Sequence, residues 1–345
     1  MRKYFLSILL TSLCGMSFAQ VVQENEIAIV YYMPKTELAI TMNYEIIEQT
    51  PGIFYQYAER YLGAKDIIMS ANTISQLKDI QIGVKTSADT ERACKVIAPR
   101  GFNTQLLTLS DDGRLLGYNI GPISQENTTS SIRTTQAPQL PTLMPLLEEH
   151  FMASSTAKMA EGAAKQIYRI RETRLNILGG DVEHVPADGD AMKQVLDELN
   201  KQEQMLVALF VGTTSVTQRT QTIYYTPTES VEDEIICRFS QYNGIVDSND
   251  LSGEPIFLSL VAKKQALQAN LESTNKTIGA SQLYYNLPGE ADVKITFKNK
   301  IEAHGKFAIA QYGVSIPLSN DLFTGRTLTT IYINPQTGNI QSIQR

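Results

Sequence analysis

Alternating hydrophobic and polar residues predict that most of this chain is β structure. Near the N-terminus, Ile27–Tyr32 forms a short apolar strand, Pro34-Lys35 is expected to break it, and residues 38–46 then alternate with the strand period of two. A turn at Asp111-Asp112-Gly113 predicts a hairpin between the apolar runs on either side of it. Further strand-like runs occupy residues 80–84, 106–109, 115–118, 222–226, 234–239, 256–261, 293–297, 307–316, 327–333 and 340–343.

A helical period of apolar residues appears in three places. Thr50-Pro51 has the form of an N-cap followed by proline, and Gly63 is placed to end the short helix that follows. Two longer apolar stripes, Ala160–Leu178 and Met192–Phe210, predict helices joined by a loop over residues 179–189. The predicted fold class is therefore α+β, with mostly antiparallel β-sheets, one short N-terminal helix and a central antiparallel helical hairpin.

Composition changes along the chain predict its domain organisation. Residues 125–149 are rich in Ser, Thr and Pro, which is typical of a linker. The predicted segments are a signal peptide (1–19), a β-rich N-terminal domain with one helix (20–124), this linker, and a helical hairpin followed by a β-rich C-terminal domain (150–345).

The first nineteen residues have the organisation of a secretory signal peptide. Arg2 and Lys3 precede an apolar run over residues 5–16, and Ser17-Phe18-Ala19 places small residues at the −3 and −1 positions of a cleavage site. The apolar run is shorter than the roughly 20 residues that span a bilayer. We therefore expect export and cleavage after Ala19. Removing two basic residues leaves 28 Lys+Arg against 36 Asp+Glu, a net charge of −8 for the mature chain.

Charge and composition narrow the function classes. A net charge of −6 for the full chain disfavours nucleic-acid binding, and no later segment is apolar and long enough to span a membrane. The phosphate-binding, dinucleotide-binding, zinc-protease and serine-hydrolase motifs are absent, and only three histidines occur, so no cofactor or catalytic residue is predicted. Two cysteines follow the signal peptide, Cys94 and Cys237, and either a disulfide or two buried thiols agrees with their strand-like surroundings.

The loop between the two long helices is the most acidic part of the chain. Carboxylates on a flexible loop are suitable ligands for a hard cation, so this loop is a weak candidate metal site. The favoured interpretation is helix capping and solvation, because the spacing matches no known calcium-binding loop. The candidate residues are Asp181, Glu183, His184, Asp188 and Asp190.

Three further patterns have ordinary structural interpretations. The loop Asp247–Gly253 is expected to be a tight turn between strands rather than a calcium site. Adjacent tyrosines in strands should face opposite sides of a sheet, as at Tyr31-Tyr32, and so cannot form one stacking surface. The basic residues Arg169, Arg171 and Arg174 are expected to pair with acids of the second long helix, such as Asp197, Glu198 and Glu203.

Several segments together resemble a known family. They are Met33-Pro34-Lys35-Thr36, Tyr57–Gly63, Gln166–Leu178, Arg238-Phe239-Ser240 with Gly244 and Leu251–Pro255, and Gln311-Tyr312-Gly313-Val314. In these segments the chain resembles exported proteins of Bacteroides-type gut bacteria that form a domain of unknown function. The resemblance implies a periplasmic or outer-membrane-surface location in a Gram-negative envelope, and it implies no activity, cofactor or catalytic residue.

These observations favour a non-enzymatic cell-envelope protein that binds a partner protein or a small ligand, or acts as a scaffold. One alternative is an envelope hydrolase whose acid, histidine and hydroxyl are dispersed in sequence. A second alternative is an assembly component of a surface complex, which would expose an apolar patch or an unpaired sheet edge.

Overall fold

The computed structural model describes residues 28–97, 103–121, 155–181, 189–263, 282–323 and 328–345. Within these ranges the protein consists mostly of antiparallel β-sheets with a few helices, as the alternating pattern predicts. The predicted signal peptide (1–19) and linker (125–149) lie outside the described residues. No helix in the described ranges combines the length and the apolar character needed to cross a membrane.

Twelve strands and three α-helices make up the described part of the chain. The helices are α1 (Ala58–Leu62), α2 (Thr156–Gly179) and α3 (Gly189–Val211). The strands are β1 (Ala28–Thr50), β2 (Asn72–Ile97), β3 (Leu107–Leu109), β4 (Leu115–Tyr118), β5 (Thr213–Tyr225), β6 (Val231–Ser240), β7 (Gly244–Val246), β8 (Glu254–Lys263), β9 (Tyr284–Phe297), β10 (Lys300–Pro317), β11 (Thr330–Ile333) and β12 (Ile340–Gln344).

The strands form three sheets, in the orders β2-β1-β5, β10-β9-β8-β6-β7 and β12-β11-β4-β3. The β3–β4 hairpin turns at residues 111–113, where the sequence predicts it, and Gly113 has a positive φ of 83°. β5 pairs with β1, and β11 pairs with β4. The segments before and after residues 125–149 therefore share two hydrogen-bonded sheets.

β1 continues through Pro34, so the predicted break at Pro34-Lys35 is wrong. A register shift between Tyr32 and Met33 bends the strand, and Pro34 then pairs with Ala88 of β2. β5 pairs with β1 only from Leu38 onwards. On the side of β1 that pairs with β5 further along, no strand pairs with Pro34. The missing N–H of proline is tolerated at such an unpaired strand edge.

The first helix begins later than the sequence predicts. Thr50 is the last residue of β1 and pairs with Thr213, so it is not an N-cap. A 3-10 turn over Tyr55–Tyr57 precedes α1. Gly63 ends α1 in the left-handed conformation, with φ 64°, as predicted.

The core has three parts. The largest fills the space between the three-stranded and five-stranded sheets, so these sheets form a sandwich. The second packs the four-stranded sheet against the ends of β1, β2 and β9, and the third packs α1 against α2 and α3. Cys237 lies in the first part and Cys94 in the second, and both are buried free thiols.

Ion pairs join α2 to α3. Arg171 and Arg174 each contact Glu203, with N–O distances of 2.6 Å. This confirms the predicted pairing for these two arginines. The two guanidinium groups hold the pKa of Glu203 below its ordinary value, even though partial burial acts in the opposite direction.

Candidate functional site

The acidic loop between α2 and α3 is described only at its two ends. Asp181 follows α2, and Asp190 lies in the first turn of α3, where the helix dipole stabilises a negative charge. Glu183, His184 and Asp188 lie outside the described residues. The cation site therefore stays a prediction, and the described residues contain no cluster of three metal-ligating side chains.

A hydroxyl, an acid and a histidine do line one surface of the five-stranded sheet, but each has a separate partner. The His304 Nε2 atom lies 2.6 Å from Asp292 Oδ1, and the Ser259 hydroxyl donates to Asp233 Oδ1 over 2.9 Å. A serine hydrolase needs the imidazole at the hydroxyl of the nucleophile. The described histidine is therefore not arranged as the base of such a site.

A cleft of about 790 Å³ opens at one end of the sandwich, and its lining mixes polar and apolar groups. We call it the apolar cleft after the aromatic rings at its floor. The first residues of β2 form one wall, and the β6–β7 turn forms the other. The segment between β7 and β8 closes the cleft at the side. Its lining residues are Ile74, Ser75, Gln76, Leu77, Phe239, Gln241, Tyr242, Leu251, Ser252, Gly253, Glu254, Phe297 and Lys298.

Buried aromatic rings form the floor of the apolar cleft. Phe239 contacts Tyr44 edge to face, with ring centroids 5.9 Å apart, and contacts Phe297 in the same manner at 6.0 Å. Phe239 and Phe297 are both buried. Edge-to-face pairs add about 0.5–1.5 kcal/mol to the stabilisation from burial alone. The floor is therefore a well-packed apolar surface.

The rim of the apolar cleft exposes two large apolar side chains. Tyr242 is 69% exposed and Leu251 is 83% exposed. Beside them, Lys298 forms an ion pair with Glu254 at 3.2 Å, so the charges on this rim cancel. Leaving a large side chain exposed forgoes about 1.5–3 kcal/mol of burial energy, which an apolar ligand would recover.

Two sheet edges flank the apolar cleft. β2 is the edge strand of the three-stranded sheet, and β7 is the edge strand of the five-stranded sheet. The Ser75 N–H donates to the carbonyl of Gln241 over 2.6 Å and joins the two walls. Ser75 therefore directs its backbone away from β1. Because backbone groups alternate along a strand, those of Thr73 and Leu77 also face outward.

Hydrogen bonds within the turn between β7 and β8 hold its shape. Arg238 donates to the carbonyls of Ser248 (2.8 Å) and Gly253 (3.1 Å), and the Asp247 carboxylate accepts from the N–H of Asn249. This confirms the predicted tight turn. Two segments of the family resemblance therefore meet at this cleft. They are the motif around Arg238 and the segment Leu251–Pro255.

A network of polar side chains joins β1, β2, β9 and β10 away from the apolar cleft, and we call it the buried polar junction. It consists of Thr36, Arg92, Asn286 and Gln311, together with the backbone of Ala310. Asn286 is fully buried and donates to the Ala310 carbonyl (3.0 Å), while Arg92 donates to Asn286 Oδ1 (3.0 Å). Burial lowers the pKa of the Arg92 guanidinium from its ordinary value. Two further resemblance segments, at Thr36 and at Gln311, meet here.

Comparisons with known proteins define the family. No curated protein and no solved structure matches the chain. A family model described as "Domain of unknown function (DUF4831)" matches residues 27–341, which include the apolar cleft and all of the three sheets except the last residues of β12. The chain therefore belongs to the DUF4831 family.

Proposed function

We propose that this chain is a non-enzymatic binding protein of the cell envelope, and that its apolar cleft holds an extended peptide segment of a partner protein. The observation that carries the proposal is the apolar floor between two sheet edges. An extended segment pairs its backbone with an exposed strand edge and directs every second side chain into a neighbouring pocket. Here the outward backbone groups of Leu77, next to the Ser75–Gln241 hydrogen bond, supply the edge, and the Phe239–Phe297 floor supplies the pocket.

Charge at the apolar cleft supports a neutral, apolar partner segment. Glu254 and Lys298 neutralise each other across a distance of 3.2 Å. A strongly charged peptide would gain no net attraction from this rim. An aromatic or long aliphatic side chain would instead contact Tyr242 and Leu251 and the rings below them.

The Tyr242→Ser/Leu251→Ser double variant tests this function. We expect a short peptide, selected from a displayed random library on the purified protein, to bind this variant at least about tenfold more weakly, because burial of one large side chain corresponds to about 1.5–3 kcal/mol. Titration calorimetry with the synthetic peptide measures the loss. Both side chains are largely exposed, so the melting temperature should stay close to that of the parent.

Tyr224→Ser is the matched control, because Tyr224 is 55% exposed on the three-stranded sheet and does not line the apolar cleft. It should leave peptide affinity unchanged. A library that yields no peptide, or a peptide whose affinity is the same for the double variant, contradicts the proposal.

The proposal includes export to the periplasm or the outer-membrane surface of a Gram-negative cell of the Bacteroides type. It also includes the central antiparallel helical hairpin, in which residues 182–188 would join α2 to α3. The signal-peptide pattern over residues 1–19 and the ion pairs of Glu203 support these two parts.

N-terminal sequencing of the protein from the periplasmic fraction of a Gram-negative host tests export. We expect the mature chain to begin at Gln20. Ala19→Phe should block processing, because the −1 position of a cleavage site requires a small residue. Recovery of uncleaved protein in the cytoplasm, or a mature end far from Gln20, would show that the segment is not a cleaved signal peptide.

A further inference from the structure

A second cleft, of about 620 Å³, lies on the outer face of the five-stranded sheet. We call it the charged cleft. It shares no lining residue with the apolar cleft. Its charged lining residues are Glu232, Asp233, Lys263, Asp292, Lys294 and His304, and Ser259 adds a hydroxyl.

The pairing register of β8, β9 and β10 determines which side chains form the floor of the charged cleft. Ser259 of β8 lies opposite Lys294 of β9, and Lys294 lies opposite His304 of β10. Directly opposed residues share a face, so these three side chains form a row across the sheet. Asp292 lies two residues before Lys294 and projects from the same face.

A bulge in β6 forms the acidic wall of the charged cleft. The register between β6 and β8 shifts between Val231 and Glu234, and Asp233 adopts a positive φ of 52°. This conformation brings the Asp233 carboxylate to the Ser259 hydroxyl, which donates to it over 2.9 Å. An acidic group thus lies beside the central strands.

Opposite charges face each other in the charged cleft without direct contact. Among the described residues, Lys294 forms no ion pair with a carboxylate, and neither Asp233 nor Glu232 forms one with a base. Asp292, by contrast, is already paired with His304 at 2.6 Å. Two ammonium groups, those of Lys263 and Lys294, and the carboxylates of Glu232 and Asp233 therefore share one cavity without an ion pair to another described residue.

We propose that the charged cleft binds a small zwitterion carrying an amine and a carboxylate. The ligand carboxylate would lie at the Lys294 ammonium, and its amine would lie at the Asp233 and Glu232 carboxylates. A simple anion would face these acids, and a simple cation would face Lys263 and Lys294. Only a ligand with both charges complements both walls. Free amino acids and the ends of short peptides share this chemistry.

Titrations with L-alanine and with L-alanyl-L-alanine, followed by NMR chemical shifts, test the proposal on the purified protein. At least one of them should bind at least about tenfold more tightly than propionate or ethylamine, which each carry one charge. Tighter binding of alanine identifies a free amino acid as the ligand type, and tighter binding of the dipeptide identifies a peptide end. Equal binding of the singly charged probes, or no binding of either zwitterion up to about 10 mM, overturns the proposal.

Lys294→Met and Asp233→Asn should each weaken zwitterion binding at least about tenfold. Asparagine tolerates the positive φ at position 233, so that variant should keep the fold. Lys306→Met is the matched control, because Lys306 pairs with Asp292 in the register of the same sheet but does not line the cleft. Unchanged affinity in Lys294→Met with an unchanged melting temperature would also overturn the proposal.

Discussion

Gly313→Ala should lower the free energy of unfolding by about 3 kcal/mol or more. A Cβ atom at position 313 would meet the carbonyl oxygen of Leu287 and would lie 2.8 Å from the Cα atom of Pro288. Both are backbone atoms of a central strand, so no side-chain rotation relieves the clash. Urea denaturation, with circular dichroism as the probe, measures the loss.

Gly83→Ala is the control for this prediction. Gly83 also lies in a strand, but the nearest atom to its added Cβ would be the Ala39 carbonyl oxygen at 3.7 Å, an ordinary contact. Its effect should stay within about 1 kcal/mol. If Gly313→Ala were as mild as Gly83→Ala, the close approach of β9 and β10 would not determine stability.

The close approach at Gly313 comes from an irregular stretch of β10. Ile309 pairs with Gly289 and Val314 pairs with Leu287, so residues 310–313 lie opposite Pro288 alone. Proline has no N–H for the ladder, which explains why regular pairing stops there. The extra residues turn towards β1 and β2 and supply the backbone of the buried polar junction.

Local sequence patterns predicted many strand segments and the two long helices, but not the full length of β2 or the short β7. The turn at residues 111–113 and the left-handed Gly63 follow from residue types whose conformational preferences act over a few positions. At Tyr31-Tyr32 the first ring is buried and the second is only partly buried, which agrees with side chains that alternate along a strand. Pro34 misled the prediction because its effect depends on whether β5 reaches that part of β1.

Neither cleft could be predicted from the sequence, because each depends on which distant strands meet. Ser75, Gln241 and Phe297 belong to three separate parts of the chain, and no spacing relates them. The same holds for Lys294 and Asp233, which the β6 bulge brings to one surface. Spacing along a single helix or strand reveals a site only when its residues share that element.

The buried polar junction illustrates how such long-range contacts contribute to the stability of the protein. The Asn286 side chain donates to the carbonyls of Ala310 (3.0 Å) and Thr337 (2.8 Å) and accepts from Arg92 (3.0 Å). Asn286 is fully buried, so water cannot replace a lost partner at low cost. Arg92 would keep only longer contacts of 3.3 Å, to Ala310 and to Ser315.

Asn286→Leu should therefore lower the free energy of unfolding by about 3–5 kcal/mol, because it removes the side-chain donor of the Ala310 and Thr337 carbonyls and the nearest acceptor of the Arg92 guanidinium. Urea denaturation measures the loss, and exposed Asn176→Leu on α2 should change stability by about 0.5 kcal/mol at most. In a double-mutant cycle, Arg92→Met combined with Asn286→Leu should cost less than the sum of the single variants, because Arg92→Met removes the charge that Asn286→Leu leaves without its nearest acceptor. Additive losses would mean that the two side chains stabilise the protein independently, contrary to the hydrogen bond between them.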